Sequence, residues 1–107
     1  MAATHKKLGS GQLATTAGDL YAPGSTVTGM IKTVVLHNTA TVDRVATVYF
    51  NGNSASDKLL NVTLNAAETF EWSVGHMVVL DGSASQTRKG EADENSKVNY
   101  FVFGAEE

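Results

Sequence analysis

The sequence predicts an all-β fold, a single antiparallel β-sandwich or jelly-roll domain of about eight short strands. Three observations predict it. Thr and Val crowd residues 26–79, and β-branched side chains suit a pleated surface. No helix-length window sustains apolar residues at i, i+3 and i+4. Short alternating segments recur at regular spacing between Gly, Asn, Asp and Pro turn signals. With 107 residues, the chain is sized for one domain.

The opening residues, "MAATHKKLGSGQ", are polar and small, so residues 1–18 read as a flexible or extended N-terminal arm ahead of a sandwich spanning 19–107. "LATT" and "DLYA" are short strand candidates, and Pro23-Gly24 marks a turn. "STVTGMIKTVVLHN" is the longest β segment, with Gly29 as the expected bulge or bend. "TATVD" turns the chain and "RVATVYFN" returns as its partner. "KLLNVTLN" sets Leu60, Val62 and Leu64 on one face against Asn61 and Thr63, the alternation of a half-buried strand. "TFEWSV" does the same with Phe70, Trp72 and Val74. Gly75 is expected to end that strand before "HMVVL", and Asp81-Gly82 to turn. "SASQTR" reads as a polar edge strand, "KGEADENS" as a charged solvated loop, and "KVNYFVFG" as a closing strand.

Composition narrows the function. A net charge of −3 argues against nucleic-acid binding, which calls for a basic stripe. The charged share is 18%, below the usual quarter, which suggests that some surface is meant for a partner rather than for water. Cysteine is absent, so stability must come from the core or from partners. Neither a signal peptide nor an apolar stretch long enough to span a membrane is visible.

The motifs that carry chemistry are weak. Gly9-Ser10-Gly11-Gln12-Leu13-Ala14 formally matches a dinucleotide fingerprint, but that motif needs a strand before it and a helix after it, so a glycine linker is expected instead. His5, His37 and His76 lack the close His or Cys neighbours of a zinc site. No Gly-x-Ser-x-Gly elbow and no Asp-rich calcium spacing occur, so neither catalytic residues, cofactor nor metal is expected. Asn61-Val62-Thr63 matches a glycosylation acceptor but sits inside a strand. Trp72 and Tyr21, Tyr49 and Tyr100 keep a carbohydrate-binding face open as an alternative.

The more informative feature is a set of strands apolar on both faces. In "RVATVYFN", Val45, Thr47 and Tyr49 oppose Ala46, Val48 and Phe50. The last strand opposes Val98, Tyr100 and Val102 to Asn99, Phe101 and Phe103. The long strand opposes Ile31, Thr33 and Val35 to Val34 and Leu36. A two-layer sandwich buries one face of each sheet, so Val34, Leu36, Val48, Phe50, Phe101 and Phe103 are expected to form an excess patch. It is covered either by another subunit or by the chain's own arm or 81–97 loop. Lys6, Lys7 and Leu8 of the arm join Val48, Phe50, Phe101 and Phe103 as the expected interface residues.

The order of these motifs resembles small structural proteins of tailed bacteriophages. The layout of "DLYAPGSTVTGMIKTVVLHNTATVDRVATVYFNG" is carried by Leu20-Tyr21, Pro23-Gly24, Asn38 and Asn51-Gly52. The second half adds Ala67-Glu68, Leu80, Gly82 and Gly104-Ala105-Glu106. The resemblance covers residues 19–106 and departs after Gly82, where Ser83-Ala84 replace an acidic residue and an alternate apolar one. It implies a virion protein, assembled in the bacterial host cytoplasm, that decorates the outer capsid surface and stabilises the shell. The implied partners are the major capsid protein or another virion protein, and further copies of the chain, with trimers common. The alternative is a carbohydrate- or receptor-binding module of a tail or fibre.

Overall fold

A computed structural model describes the backbone of residues 4–51 and 54–107, and their side chains except those of residues 4, 5 and 74–79. The fold is all-β. Its strands are β1 (Thr4–Gln12), β2 (Gly18–Tyr21), β3 (Thr28–Asn38), β4 (Arg44–Phe50), β5 (Lys58–Leu64), β6 (Thr69–Asp81), β7 (Arg88–Ala92) and β8 (Val98–Glu106). Single 3-10 turns occur at Ala55–Asp57 and Gly82–Ala84.

The strands form two four-stranded sheets, β1-β8-β3-β6 and β2-β7-β4-β5. Every pairing is antiparallel: β1 with β8, β2 with β7, β3 with β6, β4 with β5, and then β3 with β8 and β4 with β7. This is one long antiparallel ribbon, first strand against last, wound into two layers, which makes the sandwich a jelly roll.

The core lies between the layers. Val34, Leu36, Val98 and Val102 from the first sheet meet Leu20, Ala46, Val48 and Leu64 from the second. Leu13, between β1 and β2, closes one side, helped by Gly9, where a Cβ would stand 2.3 Å from the Leu20 carbonyl oxygen. That close approach requires the absence of a side chain.

Several expectations are corrected. Residues 4–12 of the expected arm are β1, an edge strand paired with β8 along its length, and the glycine linker Gly9–Gln12 belongs to it. Residues 13–17 are irregular, so "LATT" is no strand. β6 runs through Gly75 without ending. Residues 88–92, divided between an expected edge strand and an expected loop, form β7, an inner strand of the second sheet. Apolar alternation does not mark it, because its buried face is Arg88, Gly90 and Ala92, with no large aliphatic residue.

Gly29 is not the bulge. The register of β3 shifts between Ile31 and Thr33: Ile31 faces Val78 and Thr33 faces Ser73, so residues 74–77 of β6 stand opposite Lys32 alone. A bulge reverses the alternation beyond it, which turns both Ile31 and Val34 inward. Gly29 serves another purpose. The Tyr21 ring crosses from the second sheet onto it, and a Cβ there would lie 2.4 Å from the ring.

Two polar side chains organise the interior. Asn38, fully buried at the end of β3, donates from Nδ2 to the carbonyls of Val42, Leu64 and Asn65, and its Oδ1 accepts from the Ala40 N–H. Arg88, 1% exposed, lies with its guanidinium 5.7 Å from the centre of the Trp72 ring, where the π face attracts the cation. Burial lowers its pKa to about 10. Asp81 accepts from the Ser83 N–H and hydroxyl at the second 3-10 turn, and these bonds hold its carboxyl below the usual range.

Candidate functional site

The two outer faces of the sandwich differ. On the second sheet, β4 presents Val45, Thr47 and Tyr49, the apparent excess face of that strand. Its own neighbours cover it. The Tyr49 hydroxyl donates to Glu91, Asn61 Nδ2 donates to Thr47 Oγ1 at 2.9 Å, and Lys89 Nζ meets Asp19 at 2.6 Å. Tyr49 is left 3% exposed and Thr47 6%. The hydrogen bond to Glu91, followed by burial, raises the Tyr49 pKa to about 12.

The first sheet is built differently. Directly paired residues of antiparallel strands share a face, so the register maps its outer surface in rows across β1, β8, β3 and β6. Gln12, Asn99, His37 and Thr69 form a polar row; Gln12 donates to Asn99 at 3.1 Å and the His37 ring meets Thr69 Oγ1 at 2.8 Å. The next row is Ser10, Phe101, Val35 and Glu71, and the one after it Lys7, Phe103, Thr33 and Ser73. The Phe101 and Phe103 rings stack, with centroids 6.4 Å apart and planes 10° apart, and they stand 36% and 40% exposed. Val42, between β3 and β4, and Leu59, on β5, are the other exposed large hydrophobics among the described residues, and scattered ones are ordinary. Two stacked phenyl rings open to water in the middle of a sheet are not.

Of the expected interface residues, the structure brings Lys7, Phe101 and Phe103 together on this face. It separates the others. Val48 is fully buried in the core, and Phe50 and Leu8 pack against that core from its margins. Val34 and Leu36, also expected in the patch, are core as well. Lys6 lies at the end of β1, 2.5 Å from Glu106. Val35 and Glu71 belong to the face but were not assigned to it. The sequence signal for them exists in strand alternation, but it becomes usable only once β8 is known to lie between β1 and β3.

Glu106 joins the two sheets. It accepts from the Tyr21 hydroxyl at 2.5 Å and pairs with Lys6, and these partners, Lys6 first, hold its carboxyl below the usual range. Burial, then the bond to Glu106, raises the Tyr21 pKa; burial also raises that of Tyr100. All three tyrosines of the chain are therefore shifted the same way. The phenol form is favoured in the folded state, so this stabilisation is present in full below the unfolded value of about 10 and is lost as pH rises through the folded values. In the folded protein, tyrosinate absorbance is expected to stay flat through about pH 10, where a urea-unfolded sample is half ionised. A native titration with a midpoint near the unfolded one would contradict the hydroxyl–carboxylate geometry.

An open cleft of about 350 Å3 is lined by Thr15, Val45, Thr47, Glu91, Ala92 and Asp93. Glu91 is occupied by Tyr49, and Asp93 faces Arg44 at 3.9 Å. Among the described residues no three His, Asp or Glu side chains converge as a metal site. The aromatic residues suggested for a sugar face are otherwise engaged: Trp72 and Tyr100 pack on the core, and the Tyr21 and Tyr49 hydroxyls serve carboxylates. Asn61, the formal glycosylation acceptor, bonds to Thr47. The side chains of His5 and His76 lie outside the described residues. Comparison with protein-family models, with curated proteins and with solved structures found no match for the chain.

Proposed function

We propose that the protein is a non-enzymatic structural adhesive that works through the outer face of the β1-β8-β3-β6 sheet. In this reading it is a bacteriophage virion protein, a capsid decoration protein that cements neighbouring subunits from outside the shell. The observation that carries the adhesive role is the stacked, exposed Phe101–Phe103 pair. No hydrogen bond of the described residues covers the two rings, in contrast to Thr47 and Tyr49 on the other outer face. Covering apolar surface drives association, and opening the lattice would expose it again. The phage assignment rests on the motif layout in residues 19–106, and the jelly roll supports it by analogy, since that architecture serves viral capsid domains. Lectin domains share the architecture, but a sugar site needs aromatic faces beside free polar groups, and Phe101 and Phe103 bring no hydroxyl.

The test is quantitative mass spectrometry of particles purified from the phage that encodes the chain. Hundreds of copies per particle are expected. Absence from purified particles overturns the virion assignment, and a handful of copies moves the protein to a tail or connector.

A further inference from the structure

We infer that the guanidinium of Arg88 is the receptor for a small free carboxylate, of formate or acetate size, held bidentate inside the sandwich beside the Trp72 ring. The site is interior and independent of the outer face that carries the adhesive reading.

Arg88 is a buried charge without a counter-charge. It is 1% exposed, and arginine is almost never buried so completely unless it is paired. The chain holds 11 Asp and Glu residues, and all of them are among the described side chains. None pairs with Arg88. Asp43, Glu71 and Glu107 stand exposed, and the others are bonded to groups of their own. The neighbours of Arg88 by register add no anion: Phe50 carries no polar group, and the Tyr21 hydroxyl is given to Glu106. Trp72 offers a π face, which attracts the cation but accepts no in-plane N–H bond. The counter-charge therefore has to come from outside the chain.

The unmet N–H groups define the ion. Nε and Nη2 are both buried, and neither has a hydrogen-bond partner among the described residues. They lie on the same edge of the guanidinium, the edge that points two parallel N–H bonds at the two oxygens of a carboxylate. A spherical halide fits that fork less well, and a doubly charged phosphate would bury more negative charge than one guanidinium neutralises. Size follows from position. Phe50 and Trp72, the large side chains beside Arg88, are only half-buried, so a single layer of side chains separates the fork from water. At 1% exposure the fork reaches no surface that a docking protein could cover. A free ion of a few atoms can pass that layer; an Asp or Glu fixed to another chain cannot.

Titration of the full chain with sodium acetate, against sodium chloride at equal ionic strength, tests the site. Trp72 is the single tryptophan of the chain, so its emission reports the ring beside Arg88. Acetate is expected to shift that emission saturably, with a midpoint on the order of 1 mM, within reach of a ligand of so few atoms. The melting temperature should rise over the same range, because the ion binds the folded chain alone. Arg88→Met, in which an apolar side chain replaces the unpaired charge, is expected to fold and to lose both responses. Arg88→Lys keeps a charge but not the fork, so its midpoint should move about tenfold higher or more. Equal responses to acetate and chloride in the wild type overturn the inference, whether or not either variant folds. An acetate response that persists in Arg88→Lys with an unchanged midpoint overturns it as well, because the ion then binds away from the fork.

Discussion

Replacing Asn38 with alanine is expected to destabilise the fold by about 3–4 kcal/mol, because it orphans several buried backbone groups at once. The side chain is fully buried and every polar atom on it is used. The two N–H hydrogens of Nδ2 serve three carbonyls, those of Val42, Leu64 and Asn65, at 2.9–3.1 Å. Oδ1 takes the Ala40 N–H at 2.9 Å. These bonds fasten the end of β3 in one sheet to the end of β5 in the other and shape the loop between β3 and β4. Asn38→Asp is the sharper variant. Its carboxylate has no N–H to give and turns negative charge toward three carbonyl oxygens, so it should cost more than alanine at neutral pH and recover part of the loss in acid. Urea unfolding of the three proteins at two pH values measures both effects. A loss under about 1 kcal/mol for alanine, the size of one ordinary hydrogen bond, would mean that the loop finds other partners.

Gly29→Ala should cost about 2–3 kcal/mol, the upper range for overpacking a core by one methyl group. The added Cβ would lie 2.4 Å from Tyr21 Cε2 and 2.5 Å from its hydroxyl oxygen. The ring cannot swing aside freely, because its hydroxyl is held by Glu106 at 2.5 Å and Glu106 is held in turn by Lys6. The cost should therefore depend on Tyr21. In a Tyr21→Ala background the same Gly29→Ala change is expected to cost less than about 1 kcal/mol, a coupling that a double-mutant cycle isolates. If both backgrounds give the same loss, the penalty arises from the glycine's own backbone and the crossing ring is not its cause.

How far the candidate site could be read in advance is clearest at five of its residues. Phe101, Phe103 and Lys7 were legible: two phenylalanines alternate with Val102 on a strand whose other face is already apolar, and Lys7 lies in a segment too polar to be core. Val35 and Glu71 were not legible as their neighbours, because strand order joins residues far apart in the chain. Nothing in the local pattern of β3 says that β8 and β6 flank it. The attribution of Val34, Leu36, Val48 and Phe50 to the same patch went astray for a related reason. On a strand apolar on both faces, composition does not tell which face is inner. In β4, Tyr49 and Thr47 look as suited to the core as Val48, yet Glu91 and Asn61 supply hydrogen bonds that let them lie outside.

Local chemistry determined the all-β class, most strand positions and the turns. Alternation, β-branching and Gly, Asn and Asp placements act within a few residues, and they are written in order along the chain. The tertiary structure decided what depends on distant partners. It made residues 4–12 a strand, because β8 offered a free edge. It made residues 88–92 an inner strand, because β2 and β4 pair with its two edges. It reversed the facing of β3 through the bulge at Lys32. It also left Phe101 and Phe103 in water: β8 lies between two neighbours within its sheet, and only one side of that sheet meets the other layer.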